Sequence, residues 1–244
     1  MMETSISIVI PAFNEEQYIG KTLDHINSAR AYLKNKSERL VEIIVVDNAS
    51  TDRTAEVAES LDAKVLYEPV RNIGHVRNAG ARLATGDTLV FIDADVLVPE
   101  TLLWRIGQAM DSPECAGGAV SIDHRPKRTL IRLYLGFWRI LGDLFDMAQG
   151  GTQFCRRNVF MELGGYDEAF YMGEDVDFYW RLRKHAARQQ LKLCFLRDVE
   201  VVPSARRFDQ WPVWRTLVWT NPLYALLFRR KMKAWGGWYQ SGPR

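Results

Sequence analysis

The chain has 244 residues, of which 47% are hydrophobic and 25% are charged, and its formal net charge is +2. This size and composition suit a globular protein, and so small a charge gives no reason to expect nucleic acid as a partner. The three cysteines are far apart and form no CxxC pair, which argues against a zinc site or a disulfide framework and favours a reducing, cytoplasmic setting. The opening residues lack a signal-peptide pattern, and no apolar run of about 18 residues predicts a membrane span.

The first half of the chain alternates short apolar segments with helical segments. We predict strands near residues 5–10, 42–46, 64–67 and 89–92, and helices near residues 15–33, 75–84 and 99–110. A further helix follows the second strand, where Thr51 or Asp52 can cap it. This alternation is typical of a parallel sheet with helices on both faces. Polar clusters follow the strands, so we expect them to converge at the carboxyl edge of the sheet, where nucleotides bind.

The aspartates Asp93 and Asp95 follow the most apolar of these strands. If the extended geometry persists past Ile92, both carboxylates point the same way, because strand residues two apart share a face. Two close carboxylates repel each other unless a cation lies near them, and Mg²⁺ or Mn²⁺ prefers such oxygen ligands. The pattern therefore predicts a metal–diphosphate site. A plain turn is the alternative, both here and at Asp47, because aspartate is common in turns.

The second half of the chain is less regular. We predict a strand at 119–122, a helix at 128–147, a strand that turns into a helix within 154–163, and a helix from 174 to about 187. The helix at 128–147 is apolar around most of its circumference, which favours core packing over a membrane or partner surface. Glu174, Asp175 and Asp177 open the last helix. The helix N-terminus explains Glu174 and Asp177, whereas a third carboxylate is suited to act as a general base.

Residues 208–244 form a tail that is rich in tryptophan and basic residues. Its apolar part, 216–228, is interrupted by Asn221 and Pro222 and is too short to span a bilayer. This composition is typical of a segment that rests on an anionic membrane, which would place the protein at the inner face of the membrane. Docking on the protein's own domain and an oligomer contact are the alternatives.

Five motifs occur in order along residues 6–207, and together they resemble the family 2 glycosyltransferases with the nucleotide-sugar-binding type A fold. The resemblance implies an α/β fold, with a single Rossmann-like, mostly parallel sheet flanked by helices and a C-terminal helical appendage. It implies a glycosyltransferase domain at 1–207, with a nucleotide-binding half at about 1–97 and an acceptor half at about 98–207. The motifs are Pro-Ala-Phe-Asn-Glu-Glu at 11–16, Val-Val-Asp-Asn-Ala-Ser-Thr-Asp at 45–52, Asn72-x-Gly74 with Arg77-Asn78-x-Gly80, Asp93-Ala94-Asp95, and Gly173-Glu174-Asp175.

The resemblance also implies metal-dependent transfer of a sugar from a nucleotide-diphosphate donor to an acceptor hydroxyl, with inversion at the anomeric carbon. Asp95 would be the main ligand of Mg²⁺ or Mn²⁺, and Asp93 would lie near the ribose and the metal. Asp175 would be the catalytic base. The residues implied on the donor side are Pro11, Ala12, Asn14, Glu15, Asp47, Asn72, Gly74, Arg77, Asp93, Ala94 and Asp95. Those implied on the acceptor side, which would bind a saccharide or a lipid-linked sugar of a cell-envelope glycan, are Gly150, Gly151, Thr152 and Glu174.

Two departures from the family pattern matter. Processive members carry Gln-x-x-Arg-Trp after the acidic motif, whereas residues 210–214 read Gln-Trp-Pro-Val-Trp, so we expect transfer of a single sugar. Many type A enzymes place a histidine metal ligand after the last strand, but residues 202–207 contain none. Arg206 or Arg207 is a candidate for contact with the diphosphate, with solvated surface charge as the alternative. A nucleotide-sugar-binding protein without turnover and a nucleotidyltransferase are the competing functions.

Overall fold

The computed structural model describes residues 4–144 and 151–235. The strands are β1 (Ile6–Ala12), β2 (Val41–Asp47), β3 (Lys64–Tyr67), β4 (Thr88–Ile92), β5 (Val96–Leu97), β6 (Cys115–Ile122), β7 (Thr152–Arg156) and β8 (Lys192–Pro203). The helices are α1 (Ile19–Lys34), α2 (Thr54–Ser60), α3 (Ile73–Leu83), α4 (Leu102–Asp111), α5 (Thr129–Leu144), α6 (Arg157–Glu162), α7 (Glu174–Arg188), α8 (Arg206–Gln210), α9 (Val213–Trp219) and α10 (Pro222–Phe228).

The strands of the described residues form one mixed sheet in the order β3-β2-β1-β4-β7-β6-β8-β5. β1 to β4 are parallel to one another, and β6 is parallel to β8, whereas β7 and β5 run in the opposite direction. The predicted α/β class with a mostly parallel sheet is therefore confirmed. Because β7 is reversed between β4 and β6, its first residues lie at the edge where the parallel strands end.

The core has two layers, one on each face of the sheet. Ile8 and Ile10 of β1 pack in the layer that contains α1 and α4, whereas Val9 packs in the layer that contains α3, α6 and α7. This division follows from the alternation of side chains along a strand. Burial on both faces explains why β1, β2 and β4 are almost continuously apolar in the sequence.

The first strand and the first helix have different limits from those predicted. β1 continues through Pro11 to Ala12, because its pairing with β4 stops at Val9 while its pairing with β2 continues. α1 begins at Ile19 and not near Glu15. The backbone N–H of Glu15 donates to Thr54 Oγ1 at 2.8 Å, so the β2–α2 connection holds the preceding residues as a loop.

The two strands β5 and β8 were not part of the prediction. In β8 the expected alternation is interrupted by a register shift against β6, where Val120 pairs with Leu196 and Ser121 pairs with Glu200. Such a bulge breaks the period of two that marks a strand in a sequence. β5 contains two residues and exists only because β8 lies beside it.

The predicted core packing of the helix at 128–147 is half correct. Ile131 and Leu135 of α5 are buried, but Leu133, Phe137 and Ile140 on the opposite side are exposed. Residues 145–147 of the predicted helix lie outside the described residues. No helix in the described ranges is both long and apolar enough to cross a bilayer.

The tail docks on the rest of the chain as far as residue 235, the last described residue. Trp211 and Trp235 are buried, and Trp219 lies between them with ring centroids 5.0 and 6.3 Å away. Arg229 O accepts a hydrogen bond of 2.7 Å from the backbone N–H of Tyr171. Two of the four described tryptophans of the tail are therefore buried, and the tail contacts the rest of the chain, as the domain-docking alternative requires.

At Gly80, α3 packs so closely against the sheet that there is no room for a side chain. A Cβ atom at this position would lie 2.5 Å from Val9 Cγ1 and 2.8 Å from Val46 Cγ2, closer than real carbon contacts. We expect Gly80→Ala to lower the free energy of unfolding by about 1–3 kcal/mol, measured by chemical denaturation, because the helix must move away from the sheet. Gly136→Ala in α5 is the matched control, since its Cβ would have no neighbour within 4 Å and should preserve or raise stability. Equal stability of wild type and Gly80→Ala would contradict this packing.

Candidate active site

A cavity of about 350 Å³ lies at the carboxyl edge of the sheet. Its wall is formed where β1, β4, β6 and β8 end and where β7 and α7 begin, so the reversed strand and the parallel strands contribute to the same site. The predicted site residues in this wall are Pro11, Ala12, Glu15, Arg77, Asp93, Ala94, Asp95, Gly151, Glu174 and Asp175. The structure thus brings the donor-side and acceptor-side predictions together in one cavity.

Two predicted donor residues lie behind the cavity wall. Asn14 Oδ1 accepts a hydrogen bond of 2.8 Å from Thr51 N, and Asp47 Oδ1 accepts one of 3.3 Å from Ser50 N. Both side chains are buried; that of Asn14 ties the loop after β1 to the loop after β2, whereas that of Asp47 holds the turn within the latter loop. Asn48, and not Asp47, contributes to the wall at the end of β2. A direct contact of Asp47 with the nucleotide donor stays a prediction.

Asn72 and Gly74 begin α3 without lining the cavity. Asn72 Oδ1 accepts a hydrogen bond of 2.9 Å from His75 N, which caps the helix. Its Nδ2 donates to the carbonyl oxygens of Glu168 (2.9 Å) and Phe170 (3.1 Å). Asn72 therefore fixes the segment that leads into α7 and its acidic motif. On the acceptor side, Thr152 is also buried outside the wall, and Gly150 lies outside the described residues.

Asp93 and Asp95 lie on a turn and not on a continued strand. β4 ends at Ile92, and Val96 N donates to Asp93 O at 3.2 Å. The condition of extended geometry past Ile92 is therefore not met, and the turn alternative describes the backbone correctly. Both carboxylates nevertheless belong to the cavity wall. They are brought together by the turn and not by strand alternation.

Arg77 joins the two acidic motifs. This buried guanidinium donates to Asp93 Oδ1 at 2.7 Å and to Glu174 Oε1 at 2.5 Å. Burial and the charge of Asp175 raise the pKa of Glu174 to about 7, although Arg77 acts in the opposite direction. Glu174 is thus occupied by an internal ion pair, and Arg77 holds the carboxylates of Asp93 and Glu174 in fixed positions.

Asp175 begins α7 next to this ion pair. Gly173, with φ of 74°, supplies the left-handed backbone that precedes the helix, and Asp175 Oδ1 accepts a hydrogen bond of 2.8 Å from Val176 N. Burial raises the pKa of Asp175, against the opposing charge of Arg77. A carboxylate with a raised pKa is a stronger proton acceptor, so the site has the chemistry of a general base.

Arg206 is part of the cavity wall and is not a solvated surface charge. Both of its Nη atoms donate to the carboxylate of Glu15, and Nη2 lies 3.3 Å from Asp95 Oδ2. Its guanidinium also covers the ring of Tyr18, at 4.2 Å from the ring centroid. The surface-charge alternative is therefore wrong for Arg206. Arg207 lines the same cavity.

The carboxylates that follow β4 could supply some, but not all, of the ligands of a hard divalent cation. Within residues 4–144 and 151–235, no three or more His, Cys, Asp or Glu side chains are grouped as metal ligands. Burial raises the pKa of Asp95 to about 6, and the charges of Glu15 and Asp93 add to this effect while Arg206 opposes it. A cation beside Asp95 would relieve this excess of negative charge. Asp93 and Asp95 match the one or two carboxylates that Mg²⁺ takes when substrate phosphates supply further ligands.

Sequence reasoning missed a wall segment contributed by β6 and β8. His124 follows β6, and its ring packs edge-on against Phe208, with centroids 5.4 Å apart. Burial lowers the pKa of His124 to about 4, so its imidazole is neutral at pH 7. The position of His124 shortly after a predicted strand was a sequence signal for a site residue. The sequence did not show that this strand end lies beside the end of β8, because β8 itself was not predicted. The other wall residues outside the predicted set are Phe13, Asn48, Arg71, Ile73, Val76, Ile122, Tyr171, Met172, Pro203, Ser204 and Phe208.

Comparison with curated proteins identifies relatives over most of the chain. The glycosyltransferase AglE of Haloferax volcanii is 27% identical over 217 residues, which are 84% of this chain and 68% of AglE. The 4,4'-diaponeurosporenoate glycosyltransferase of Staphylococcus haemolyticus is 40% identical over 99 residues, which are 38% of this chain and 24% of that protein. The chain therefore spans only part of the length of the relatives that it matches.

Solved structures share the fold. The mannosyltransferase PcManGT from Pyrobaculum calidifontis, in complex with GDP-Man and Mn²⁺, superposes with a TM-score of 0.66 at 23% identity, over 96% of this chain and 65% of that chain. Glucosyl-3-phosphoglycerate synthase from Mycobacterium tuberculosis, in complex with Mn²⁺, UDP and glucosyl-3-phosphoglycerate, superposes with a TM-score of 0.61 at 23% identity, over 93% of this chain and 80% of that chain. The family model described as "Glycosyl transferase family 2" matches residues 7–163. The chain belongs to glycosyl transferase family 2, and it has the type A fold of these solved glycosyltransferases.

Proposed function

We propose that the protein transfers a single sugar from a nucleotide-diphosphate donor to an acceptor hydroxyl, with a divalent metal and with inversion at the anomeric carbon. The observation that carries this proposal is the buried Arg77, which binds Glu174 through Nη1 and Asp93 through Nη2 within one cavity. This contact supports a common site for the acid proposed on the donor side and the acid proposed on the acceptor side, as a reaction between two bound substrates requires. Donor complexes with Mn²⁺ in PcManGT and in glucosyl-3-phosphoglycerate synthase support the choice of donor class.

The donor would lie along the strand ends in the order of the sheet. The nucleoside would occupy the side of β2 and β1, near Phe13 and Asn48, and the diphosphate would face the turn after β4. Asp95 and Asp93 would hold Mg²⁺ or Mn²⁺, which would stabilise the negative charge that develops on the departing nucleoside diphosphate. Arg206 would add a positive charge on the same side, because its guanidinium already lies 3.3 Å from Asp95.

The acceptor would lie on the side of β7 and α7. Its hydroxyl must lose a proton as it attacks, and Asp175 is the carboxylate in this part of the wall that Arg77 does not bind directly in the described contacts. Because nucleoside diphosphate is a good leaving group, one base suffices, and a single displacement inverts the anomeric carbon. We propose a saccharide or a lipid-linked sugar as the acceptor.

A panel of nucleotide sugars tests the proposed function. The purified protein is incubated with Mn²⁺ or Mg²⁺ and each donor, and thermal stability and released nucleoside diphosphate are measured. We expect one donor to give metal-dependent stabilisation and slow hydrolysis, both lost in Asp95→Ala. Asp198→Ala is the matched control, because Asp198 pairs with Arg105 at the surface and should keep both responses.

The outcomes of this panel separate the competing functions. Release of pyrophosphate would identify a nucleotidyltransferase and contradict sugar transfer. Donor binding that never leads to turnover, even with candidate acceptors, would favour the non-catalytic nucleotide-sugar-binding protein. A response that persists in Asp95→Ala would contradict the assignment of the metal site.

Arg206→Ala is expected to weaken donor binding by about 10- to 100-fold, because a charge-assisted contact with phosphate is worth about 1.5–3 kcal/mol. The dissociation constant is measured by calorimetry in the presence of metal. Arg206→Lys should retain part of the affinity, since it keeps the charge but loses the bidentate geometry. Arg30→Ala is the control, because Arg30 pairs with the exposed Asp62 away from the wall. An unchanged dissociation constant in Arg206→Ala would show that this residue only supports Glu15.

A further inference from the structure

The outer side of α5 carries a continuous apolar stripe. Its five residues are between 55% and 71% exposed, and they are spaced by 3, 4, 3 and 4 positions, which places them on one side of the helix. The stripe consists of Leu130, Leu133, Phe137, Ile140 and Leu144. An isolated exposed leucine needs no explanation, but a row of apolar residues four turns long is typical of a surface that binds a protein or a membrane.

The described tail contacts α5. Thr220 Oγ1 lies 3.2 Å from Tyr134 Oη, and Arg128 Nη1 donates to Trp211 O at 2.6 Å. Trp214 is exposed at the start of α9. Further exposed apolar side chains of the tail are Leu217, Val218, Leu227 and Met232.

The same two segments hold the positive charge of the chain. Residues 124–144 and 208–235 contain ten Lys and Arg and two Asp, a formal charge of +8, whereas the whole chain carries +2. Some of these cations face acids on neighbouring elements: Arg139 pairs with Asp123 and Glu200, and Arg230 lies 3.5 Å from Asp167. Arg128 and Arg132 instead donate to backbone carbonyl oxygens, which leaves their charge uncompensated by those bonds.

We propose that the stripe of α5 and the exposed apolar residues of the tail form a docking surface for an anionic phospholipid bilayer. Apolar side chains flanked by lysine and arginine match the hydrocarbon and the negative headgroups of such a surface. The charge argues against a second copy of the chain, because the two segments stay positive after Asp123, Glu200 and Asp167 are counted, and two such faces would repel each other. Since His124 and Phe208 of the cavity wall are the first residues of the two segments, docking would bring the cavity near the bilayer. The proposal concerns binding and does not depend on the transfer reaction.

Flotation with lipid vesicles tests the docking surface without any donor. The protein is mixed with vesicles of phosphatidylcholine, with or without phosphatidylglycerol, and the bound fraction is measured. We expect binding only to the anionic vesicles, and weaker binding at high salt. Phe137→Glu/Ile140→Glu should lower the partition coefficient at least about tenfold, because it removes apolar contacts and adds two negative charges. Lys231→Gln/Lys233→Gln should lower it by a similar factor through charge alone.

Leu40→Glu/Tyr67→Glu is the matched control. It adds the same two charges at exposed apolar positions elsewhere on the protein and should bind vesicles almost as well as wild type. Circular dichroism and thermal melting verify that each variant is folded. Failure of the wild type to bind anionic vesicles would overturn the proposal, as would equal loss in the control. A wild-type dimer that Phe137→Glu/Ile140→Glu converts to a monomer, without any vesicle binding, would assign the stripe to a second copy instead.

Discussion

Asp175→Asn is expected to reduce sugar transfer by about 10²- to 10⁴-fold while leaving donor affinity unchanged, because the amide cannot accept the proton of the attacking hydroxyl. The side chain keeps its size, and its Oδ1 can still accept the hydrogen bond from Val176 N. The rate is measured as release of nucleoside diphosphate with the identified donor, and the dissociation constant is measured by calorimetry. A nucleotide-sugar-binding protein would show neither turnover nor any effect of this change.

The matched control for this prediction is Asp177→Asn. Asp177 lies in the same helical turn, but its carboxylate pairs with Arg181 at 2.7 Å and is not part of the cavity wall. The control should therefore keep most of the wild-type rate. Equal loss of activity in the two variants would indicate disruption of α7 and not removal of a base.

The pH dependence gives a second readout for the same residue. Activity requires the ionised carboxylate, so it should fall as the pH drops through the pKa of Asp175. Because burial raises this pKa, the acidic limb should lie above the ordinary range for aspartate. Asp175→Asn should remove this limb from the residual activity. An acidic limb that persists unchanged in the variant would assign the titration to another group.

Arg77→Leu is expected to lower the free energy of unfolding by about 3–5 kcal/mol, because it leaves two acids without their buried counter-charge. Asp93 lies 2.7 Å and Glu174 lies 2.5 Å from the guanidinium that would be lost. Chemical denaturation at neutral pH measures the change. Arg105→Leu is the control, because its partner Asp198 is exposed and such surface pairs contribute about 0–1 kcal/mol.

The loss in Arg77→Leu should depend on pH with a definite sign. The pKa of Glu174 is already raised to about 7 in the folded protein from an ordinary value of 4.5, and removal of Arg77 removes an influence that lowers it. The folded state therefore binds more protons than the unfolded state between these values, so stability falls as the pH rises through that window. We expect the defect to be larger at high pH and to shrink when Glu174→Gln is added. A defect that is independent of pH and of Glu174 would contradict the ion-pair explanation.

Local sequence patterns were sufficient to predict the parallel half of the sheet and many residues of the cavity wall. β1, β2 and β4 are marked by apolar runs because they are buried on both faces, and Asp93 and Asp95 are marked by their place after such a run. Both signals arise from neighbouring residues, so a short window contains them. The ordered motifs then led to the correct family, since convergence of several strand ends is far more specific than one motif.

Long-range contacts decided the remaining features. Glu15 and Arg206 are 191 residues apart, and Arg77 and Glu174 are 97 residues apart, yet each pair forms one ion pair in the cavity wall. Apolar periodicity does not show that these arginines are buried, because their burial depends on how distant strand ends meet. The exposure of the outer face of α5 is likewise decided by tertiary packing. The sequence shows that this helix is apolar, but only the packing of the other elements determines which side of the helix is buried.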